Sequence, residues 1–311
     1  MHNITVADFA KSFGTTLDDF SVACRNAMEG IDFLYEIPDK ESRDNIILTV
    51  LKKMQDDRQV IGAEERQIEW ERGWAENLQN FINTSGSLEA LVPKFIRENQ
   101  PIRFNGDYII PRNPKFEYDY MTVFRIWLFQ KYLSSFKKIY EFGCGTGLNL
   151  VLLATLFPDK EFHGLDFVQS SADLVNKIGE SKGWNIQGHL FDMIRPDESV
   201  TLDEEIAIFT FGAIEQLAGR FENFILYLLN NKPGICIHVE PTVELYDEGR
   251  LFDYLAIKFH RKRGYTAGLL PYLQMLDEQN KIKLLKVKRL HFGSLFMEGY
   301  TYFVWQSLGD K

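Results

Sequence analysis

The sequence predicts an α/β protein with a mostly parallel sheet of seven strands, an antiparallel last strand and an additional N-terminal helical domain. From residue 138 onward, short apolar runs suited to buried strands alternate with segments of helical periodicity, which is typical of a parallel sheet covered by helices. The last two runs are joined only by residues 291–299, too few for a parallel crossover, so the final strand is expected to be antiparallel. Residues 1–118 lack this alternation.

The first 118 residues are therefore expected to form a separate helical domain that includes a connector. The most regular helical pattern covers residues 64–81, where aromatic and apolar side chains recur on one face: Trp70, Trp74, Leu78 and Phe81. Such a face packs against the rest of the protein or forms a lid over a pocket. A short helix is also expected at residues 88–98.

Residues 84–118, which include this short helix, form the connector. No long helix is expected in the rest of it, because three prolines and one glycine follow, at Pro101, Gly106, Pro111 and Pro114. It is rich in aromatic and polar side chains, a composition found both in segments that line a site and in segments that pack between domains. Two of these side chains, Arg103 and Tyr118, are candidate substrate-binding residues.

Residues 119–311 are expected to form the sheet domain, which begins with a helix at residues 121–133. Seven strands are predicted at residues 139–142, 161–165, 186–190, 205–211, 234–239, 282–290 and 300–305. The intervening helices are predicted at residues 148–156, 170–181, 218–229, 251–263 and 270–279.

Composition and charge limit the functional classes. With 45% hydrophobic and 25% charged residues over 311 positions, the chain has an ordinary globular composition. A net charge of −9 argues against a general nucleic-acid binder, because phosphate contacts require clustered Lys and Arg. The three cysteines lack metal-ligand spacing, so no metal site is expected and a reducing compartment fits. No apolar run approaches the roughly 18 residues of a membrane span, and we expect a cytoplasmic protein.

One stretch organises the sheet domain. A β-favouring run ends in Glu141, three glycines follow at alternate positions (Gly143, Gly145 and Gly147), and helical periodicity begins at Leu148. A glycine-rich turn between a strand and a helix lets the backbone approach a ligand at the mouth of a parallel sheet. Leu148 stands where dinucleotide-binding proteins carry their third glycine, which disfavours a dehydrogenase.

This combination of a carboxylate and alternate glycines resembles motif I of the class I S-adenosylmethionine (SAM)-dependent methyltransferases, E/D-x-G-x-G-x-G. The resemblance covers residues 121–307 and implies a SAM cofactor. It implies that Glu141 holds the methionine amino group, that Asp166 accepts from the ribose hydroxyls and that Asp192 accepts from the adenine amino group. The full set of expected cofactor-binding residues is Glu141, Gly143, Cys144, Gly145, Gly147, Asn149, Asp166, Phe167, Asp192, Met193 and Phe211.

The catalytic residues are expected at the ends of the fourth and fifth strands. Glu215 and Gln216 follow the fourth strand, where the family often places substrate-facing residues. His238 and Glu240 lie two residues apart on the fifth strand and so project to one face, where histidine can act as a general base. The alternative is that His238 is a buried strand residue with its hydrogen bonds satisfied and that Glu240 is a salt-bridge partner. The expected catalytic residues are His238, Glu240 and Glu215, and the expected substrate-binding residues are Tyr118, Arg103, Gln216 and Tyr246.

The resemblance implies S_N2 transfer of a methyl group to a small-molecule or peptide acceptor. The D/N-P-P-Y/F signature of enzymes that methylate nucleic-acid bases is absent from the sequence. One alternative is attack at Cγ of the methionine moiety, which transfers an aminocarboxypropyl group or closes a ring and releases methylthioadenosine. The other is a SAM-binding protein without catalysis. The motifs that hold SAM do not separate these three functions.

Overall fold

The computed structural model describes residues 1–61 and 65–308 of the chain. The strands are β1 (His2–Asn3), β2 (Leu34–Glu36), β3 (Ile102–Phe104), β4 (Asp107–Pro111), β5 (Lys138–Phe142), β6 (Glu161–Asp166), β7 (Ile186–Leu190), β8 (Ile206–Phe211), β9 (Ile235–Glu240), β10 (Ile282–Arg289), β11 (Phe292–Gly293) and β12 (Thr301–Ser307). The helices are α1 (Val6–Phe13), α2 (Val22–Gly30), α3 (Lys40–Asp56), α4 (Glu65–Asn83), α5 (Phe116–Tyr132), α6 (Leu148–Leu156), α7 (Gln169–Lys182), α8 (Glu222–Asn231), α9 (Leu251–Arg263) and α10 (Leu269–Glu278).

The large sheet has seven strands in the spatial order β10-β12-β9-β8-β5-β6-β7. β5 pairs in parallel with β6 and β8, whereas β12 runs antiparallel to both β9 and β10. The predicted seven-stranded sheet with an antiparallel last strand is therefore confirmed. The strand order reverses between β5 and β8, and this switch point is where ligands of open α/β sheets bind, at the carboxyl ends of the strands.

Helices cover both faces of the large sheet. One face packs against α1, α5, α6 and α7 through a large apolar cluster, and the other packs against α8 and α10. The first cluster joins both sides of the boundary predicted at residue 118, since Phe9 packs on Tyr120 and Phe13 packs on Trp127. The division into a domain of residues 1–118 and a domain of residues 119–311 stays a prediction.

A second, antiparallel sheet lies outside the predicted pattern. Its strand order is β1-β2-β4-β3-β11, so it joins the N-terminal third to a short strand near the end of the chain. β3 and β4 form a hairpin through Asn105 and Gly106, both with positive φ (50° and 87°). Asn-Gly is the preferred pair for a two-residue hairpin turn, so the sequence did carry a signal for a strand pair within the connector.

The helix expected at residues 88–98 is wrong. Only a 3-10 turn, Leu88–Leu91, is formed there. Pro93 follows two residues later, and proline disfavours helical backbone at the residue before it. The last part of the predicted helix is instead an irregular segment that leads to β3.

Candidate functional site

The glycine turn after β5 has the backbone that its sequence predicts. Gly143, Gly145 and Gly147 have φ of 74°, 53° and 72°, in the left-handed region that favours glycine. The turn is fixed to the neighbouring strand because the Gly143 N–H donates to the carbonyl of Leu165 at 2.6 Å. Gly147 then caps the N-terminus of α6. The turn thus places glycine backbone at the switch point of the large sheet.

Two segments pack directly on this turn. A Cβ added at Gly143 would lie closer than van der Waals contact to Cβ of Ala213, in the loop that follows β8. A Cβ added at Gly145 would lie 3.0 Å from the indole of Trp74 on α4. The glycines at these two positions are therefore required by close packing as well as by φ.

Glu141, at the end of β5, is 1% exposed, and only one of its two carboxyl oxygens has a hydrogen-bond partner. Its Oε1 accepts from Nδ2 of Asn149 at 2.6 Å, but its Oε2 is buried without a hydrogen-bond partner. Burial raises the pKa of this carboxyl to about 8, against the lowering effects of the Asn149 bond and the Arg125 charge. A buried acceptor without a donor is costly, and a cationic ligand would satisfy it.

Asp166, at the end of β6, holds the glycine turn. Its Oδ2 accepts from the Gly145 N–H at 2.9 Å and its Oδ1 accepts from the Val168 N–H at 3.3 Å. Burial raises the pKa of its carboxyl to about 6, which these backbone bonds oppose. The carboxylate therefore ties the turn to the start of α7. The expected contact of Asp166 with ribose hydroxyls stays a prediction.

Other expected cofactor residues lie at successive strand ends. Phe167 is 37% exposed after β6, and Asp192 follows β7 with its Oδ1 accepting from the Ile194 N–H at 2.8 Å. Met193 is buried, and its Cε reaches to 3.5 Å from the position of a Cβ on Gly143. Cys144 points its Sγ inward, 3.5 Å from Oγ of Ser171, so only its backbone faces outward from the turn.

The loop after β8 is organised by Glu240. Its Oε1 accepts from Oγ1 of Thr210 at 2.8 Å and from the N–H groups of Ala213 and Ile214 at 3.1 Å each, and its Oε2 accepts from the Glu215 N–H at 3.1 Å. Burial raises the pKa of Glu240 to about 7 although these four bonds lower it. Because these four donors are all internal, Glu240 positions the loop, and it is left out of the proposed catalytic set.

Glu240→Gln is expected to lower the free energy of unfolding by about 1–3 kcal/mol, because the new amide would place a donor against the Glu215 N–H. Urea unfolding at pH 7 measures this difference, with Glu29→Gln as the control because Glu29 is an exposed carboxyl. Equal stability of the two variants would show that the four bonds do not hold the loop.

His238 lies in the interior of the sheet and does not reach this loop surface. It is 0% exposed, its Nδ1 is 3.0 Å from Oγ1 of Thr210, and its ring lies between those of Phe224 and Trp305. Burial lowers its pKa to about 3, so the imidazole is neutral. The expected shared face with Glu240 is present, but the His238 ring packs among aromatic side chains and its Nδ1 is taken up by Thr210. His238 is excluded from the proposed catalytic set.

Glu215 is the expected catalytic residue that does retain solvent exposure. It is half-buried in the 3-10 turn Ile214–Leu217, and burial together with the nearby Glu240 raises its pKa to about 8. Nε2 of Gln216 donates to its Oε1 at 2.8 Å, while Oε1 of Gln216 has no partner. A carboxyl with this pKa can exchange a proton near neutral pH.

Sequence reasoning missed a carboxyl–phenol pair beside this loop. Tyr300 Oη donates to Oε1 of Glu117 at 2.9 Å, and the Tyr300 ring centroid lies 6.0 Å from that of Phe211. Burial raises the pKa of Glu117 to about 7. The available signal was that Glu117 occupies the apolar stripe of α5 with Met121 and Phe124, at helical spacing, where a carboxylate is unusual.

Two expected substrate residues belong to other parts of the fold. Arg103 is 0% exposed, donates from Nη2 to the Phe252 carbonyl at 2.7 Å and stacks on the Phe252 ring. Tyr246 is hydrogen-bonded to the backbone of Glu298. Arg103 connects β3 to α9, and Tyr246 connects the segment before α9 to the loop before β12. Neither residue is part of the proposed site. Tyr118, the third, is half-buried with the Arg125 guanidinium 5.5 Å from its ring centroid.

α4 covers the glycine turn and the start of α7. Glu71 accepts from the Ser170 N–H at 3.1 Å, and the Glu71 carbonyl accepts from Ser170 Oγ at 2.8 Å. The Trp74 ring stacks on that of Trp70 at a centroid distance of 5.1 Å. The aromatic face of α4 is thus packed inward. The expectation that this helix opens as a lid stays a prediction.

Within residues 1–61 and 65–308, no group of three or more His, Cys, Asp and Glu side chains is placed to hold a metal ion. In the same part of the chain, no helix combines the length and apolarity needed to cross a bilayer.

Comparison with known proteins gives structural likenesses only. No protein-family profile matches the sequence, and no curated protein matches it. Among solved structures, the 4+2 cyclase SpnF is 12% identical with a TM-score of 0.51, and the alignment covers 80% of this chain and 99% of that chain.

Two further structures are similar in parts. A geranyl diphosphate C-methyltransferase from Streptomyces coelicolor A3(2), in complex with Mg²⁺, geranyl diphosphate and S-adenosyl-L-homocysteine (SAH), is 9% identical with a TM-score of 0.46, over 75% of this chain and 98% of that chain. A SAM-dependent methyltransferase from Clostridium acetobutylicum ATCC 824 is 12% identical with a TM-score of 0.43, over 60% and 91%. The chain has a class I methyltransferase-like fold.

Proposed function

We propose that this protein is a SAM-dependent methyltransferase that acts on a small molecule or peptide. The observation that carries this function is Glu141, a buried carboxyl with an unpaired oxygen beside a left-handed glycine turn at the switch point of the sheet. That site combines an acceptor for a cation with backbone that a ligand can approach closely. SAM carries an ammonium group and needs both features.

In this proposal, residues at the ends of different strands bind different parts of the cofactor. Glu141 holds the ammonium group, the glycine turn lies along the methionine portion, and Asp166 and Asp192 take the ribose and the adenine. Phe167 and Met193 supply apolar surface beside the adenine. When bound, SAM supplies a methyl group on a sulfonium, which is already a good leaving group. The protein therefore needs mainly to align the acceptor and to remove its proton.

The proton acceptors that fit this task lie in the loop after β8 and beside Tyr300, which contacts Phe211. Glu215, with a pKa of about 8, and the Glu117–Tyr300 pair, with a Glu117 pKa of about 7, have carboxyls poised near neutral pH. Glu215 and Tyr300 are only half-buried, so an acceptor molecule can reach both. The net charge of −9 supports a small-molecule or peptide acceptor over nucleic acid.

Titration calorimetry with SAM and with SAH tests the cofactor, and we expect saturable binding of one molecule per chain for each. Product analysis after incubation with SAM and candidate amine, hydroxyl and carbon acceptors tests the reaction, with SAM alone as the control for spontaneous breakdown. SAH supports methyl transfer. Methylthioadenosine in its place would overturn methyl transfer in favour of attack at Cγ, and absence of binding to both ligands would overturn the SAM site itself.

A further inference from the structure

Arg125 of α5 is a buried cation outside the glycine turn. It is 5% exposed, and its three donor nitrogens reach neutral groups: Nε donates to the Met121 carbonyl at 3.2 Å, Nη2 to Oγ1 of Thr122 at 2.9 Å and Nη1 to Oδ1 of Asn149 at 3.1 Å. None of the ion pairs among the described residues involves Arg125. Its charge lies near that of Glu141, where it favours the carboxylate form.

The bond to Asn149 decides how that side chain is turned. An amide group has one end that accepts and one end that donates, so a donor at Oδ1 leaves Nδ2 to face the other way. Nδ2 of Asn149 donates to Oε1 of Glu141 at 2.6 Å. Arg125, Asn149 and Glu141 therefore form a directed relay from α5 through α6 to the end of β5.

The relay selects which oxygen of Glu141 is free. Oε1 is occupied by the Asn149 amide, and Oε2 is the atom that stays buried without a partner. Without Arg125, the Asn149 amide could present either end to Glu141, and a carbonyl end would repel the carboxylate form that a ligand ammonium requires. The orientation of Glu141 would then no longer be fixed.

We propose that Arg125 is a positioning residue for the amino-acid portion of the cofactor, acting through Asn149 on Glu141. This inference rests on the proposed SAM site and extends it to a helix that precedes the glycine turn. Arg125 keeps Oε2 of Glu141 available to the ligand ammonium. Its loss should weaken only ligands that carry that ammonium.

The experiment compares three ligands by titration calorimetry: SAM, SAH and methylthioadenosine, which lacks the aminocarboxypropyl group. In Arg125→Met we expect affinity for SAM and SAH to fall about tenfold or more, the order expected for a hydrogen bond to a charged group. We expect affinity for methylthioadenosine to stay within about twofold. Lys131→Met, which removes an exposed cation from the same helix, is the matched control and should change none of the three.

Asn149→Leu removes the amide that links Arg125 to Glu141. It provides a second measurement if Arg125→Met does not fold. It should reproduce the ligand pattern, and the double variant should lose little more than either single variant because both act on one path. Equal weakening of all three ligands would show that Arg125 has only a structural role, and unchanged SAM affinity would also overturn the relay. A wild-type protein that binds none of the ligands would instead refute the proposed function.

Discussion

Gly143→Ala is expected to lower SAM affinity by about a hundredfold or more. The added methyl group would overlap Cβ of Ala213, so the glycine turn and the loop after β8 must move apart. Overpacking of this kind costs roughly 1–3 kcal/mol of folding stability, and the left-handed φ of 74° adds roughly 1–2 kcal/mol for a residue with a Cβ. SAM affinity falls because the turn that must move is the surface on which the ligand is proposed to lie. Titration calorimetry with SAM measures the affinity, and thermal unfolding measures the stability.

Gly183→Ala is the matched control for this variant. Gly183 has a similar φ of 64° at the end of α7, and no atom lies within 4 Å of its added Cβ. It shares the backbone strain of Gly143→Ala but not the overlap, so its melting temperature should fall while SAM affinity is unchanged. If Gly143→Ala bound SAM as tightly as Gly183→Ala does, the turn would not be the ligand site.

SAM affinity is expected to rise about tenfold per pH unit between pH 6 and pH 7.5. Burial raises the pKa of Glu141 to about 8, so the free protein holds this carboxyl mostly protonated over that range. The ligand ammonium favours the carboxylate and lowers its pKa, so binding releases close to one proton. Raising the pH towards 8 removes that proton before the ligand binds, so the binding free energy becomes more favourable by about 1.4 kcal/mol per pH unit.

Calorimetry in two buffers of different ionisation enthalpy counts the released protons directly. The range stops at pH 7.5 because the ligand ammonium loses its own proton at higher pH, since an α-amino group has a pKa of about 7.7–8.0. Glu141→Gln should bind SAM weakly and without this pH dependence. If the SAM affinity of the wild-type protein did not change between pH 6 and pH 7.5, then no carboxyl that is protonated in the free protein would contact the ligand ammonium.

The sheet and the glycine turn were predictable because their signals are local. Buried parallel strands show as continuous apolar runs, and helices show their period within a dozen residues, so α6 and α9 match the predicted bounds. The turn needs glycine at positive φ, and that requirement is visible in the sequence itself. Asp166 and Asp192 follow strands, so their places at the carboxyl edge were also predictable.

Burial and distant pairing were not predictable in this way. His238 and Glu240 share a strand face as expected, yet the depth of the sheet decides that one lies against aromatic rings and the other anchors a loop. β3 pairs with β11, far along the chain, so no local pattern predicts that pairing. The sequence, by itself, determined the sheet, the turn and the strand-end carboxylates.

Only the tertiary structure decided the pKa values of the carboxyl groups at the site and their hydrogen-bond partners. Glu117, Glu141 and Glu215 acquire raised pKa values because packed neighbours exclude water, and water exclusion is a property of the assembled protein. Arg125 reaches Asn149 because α5 packs against α6, and both helices contribute apolar side chains to the same cluster. The same packing leaves one oxygen of Glu141 without a partner.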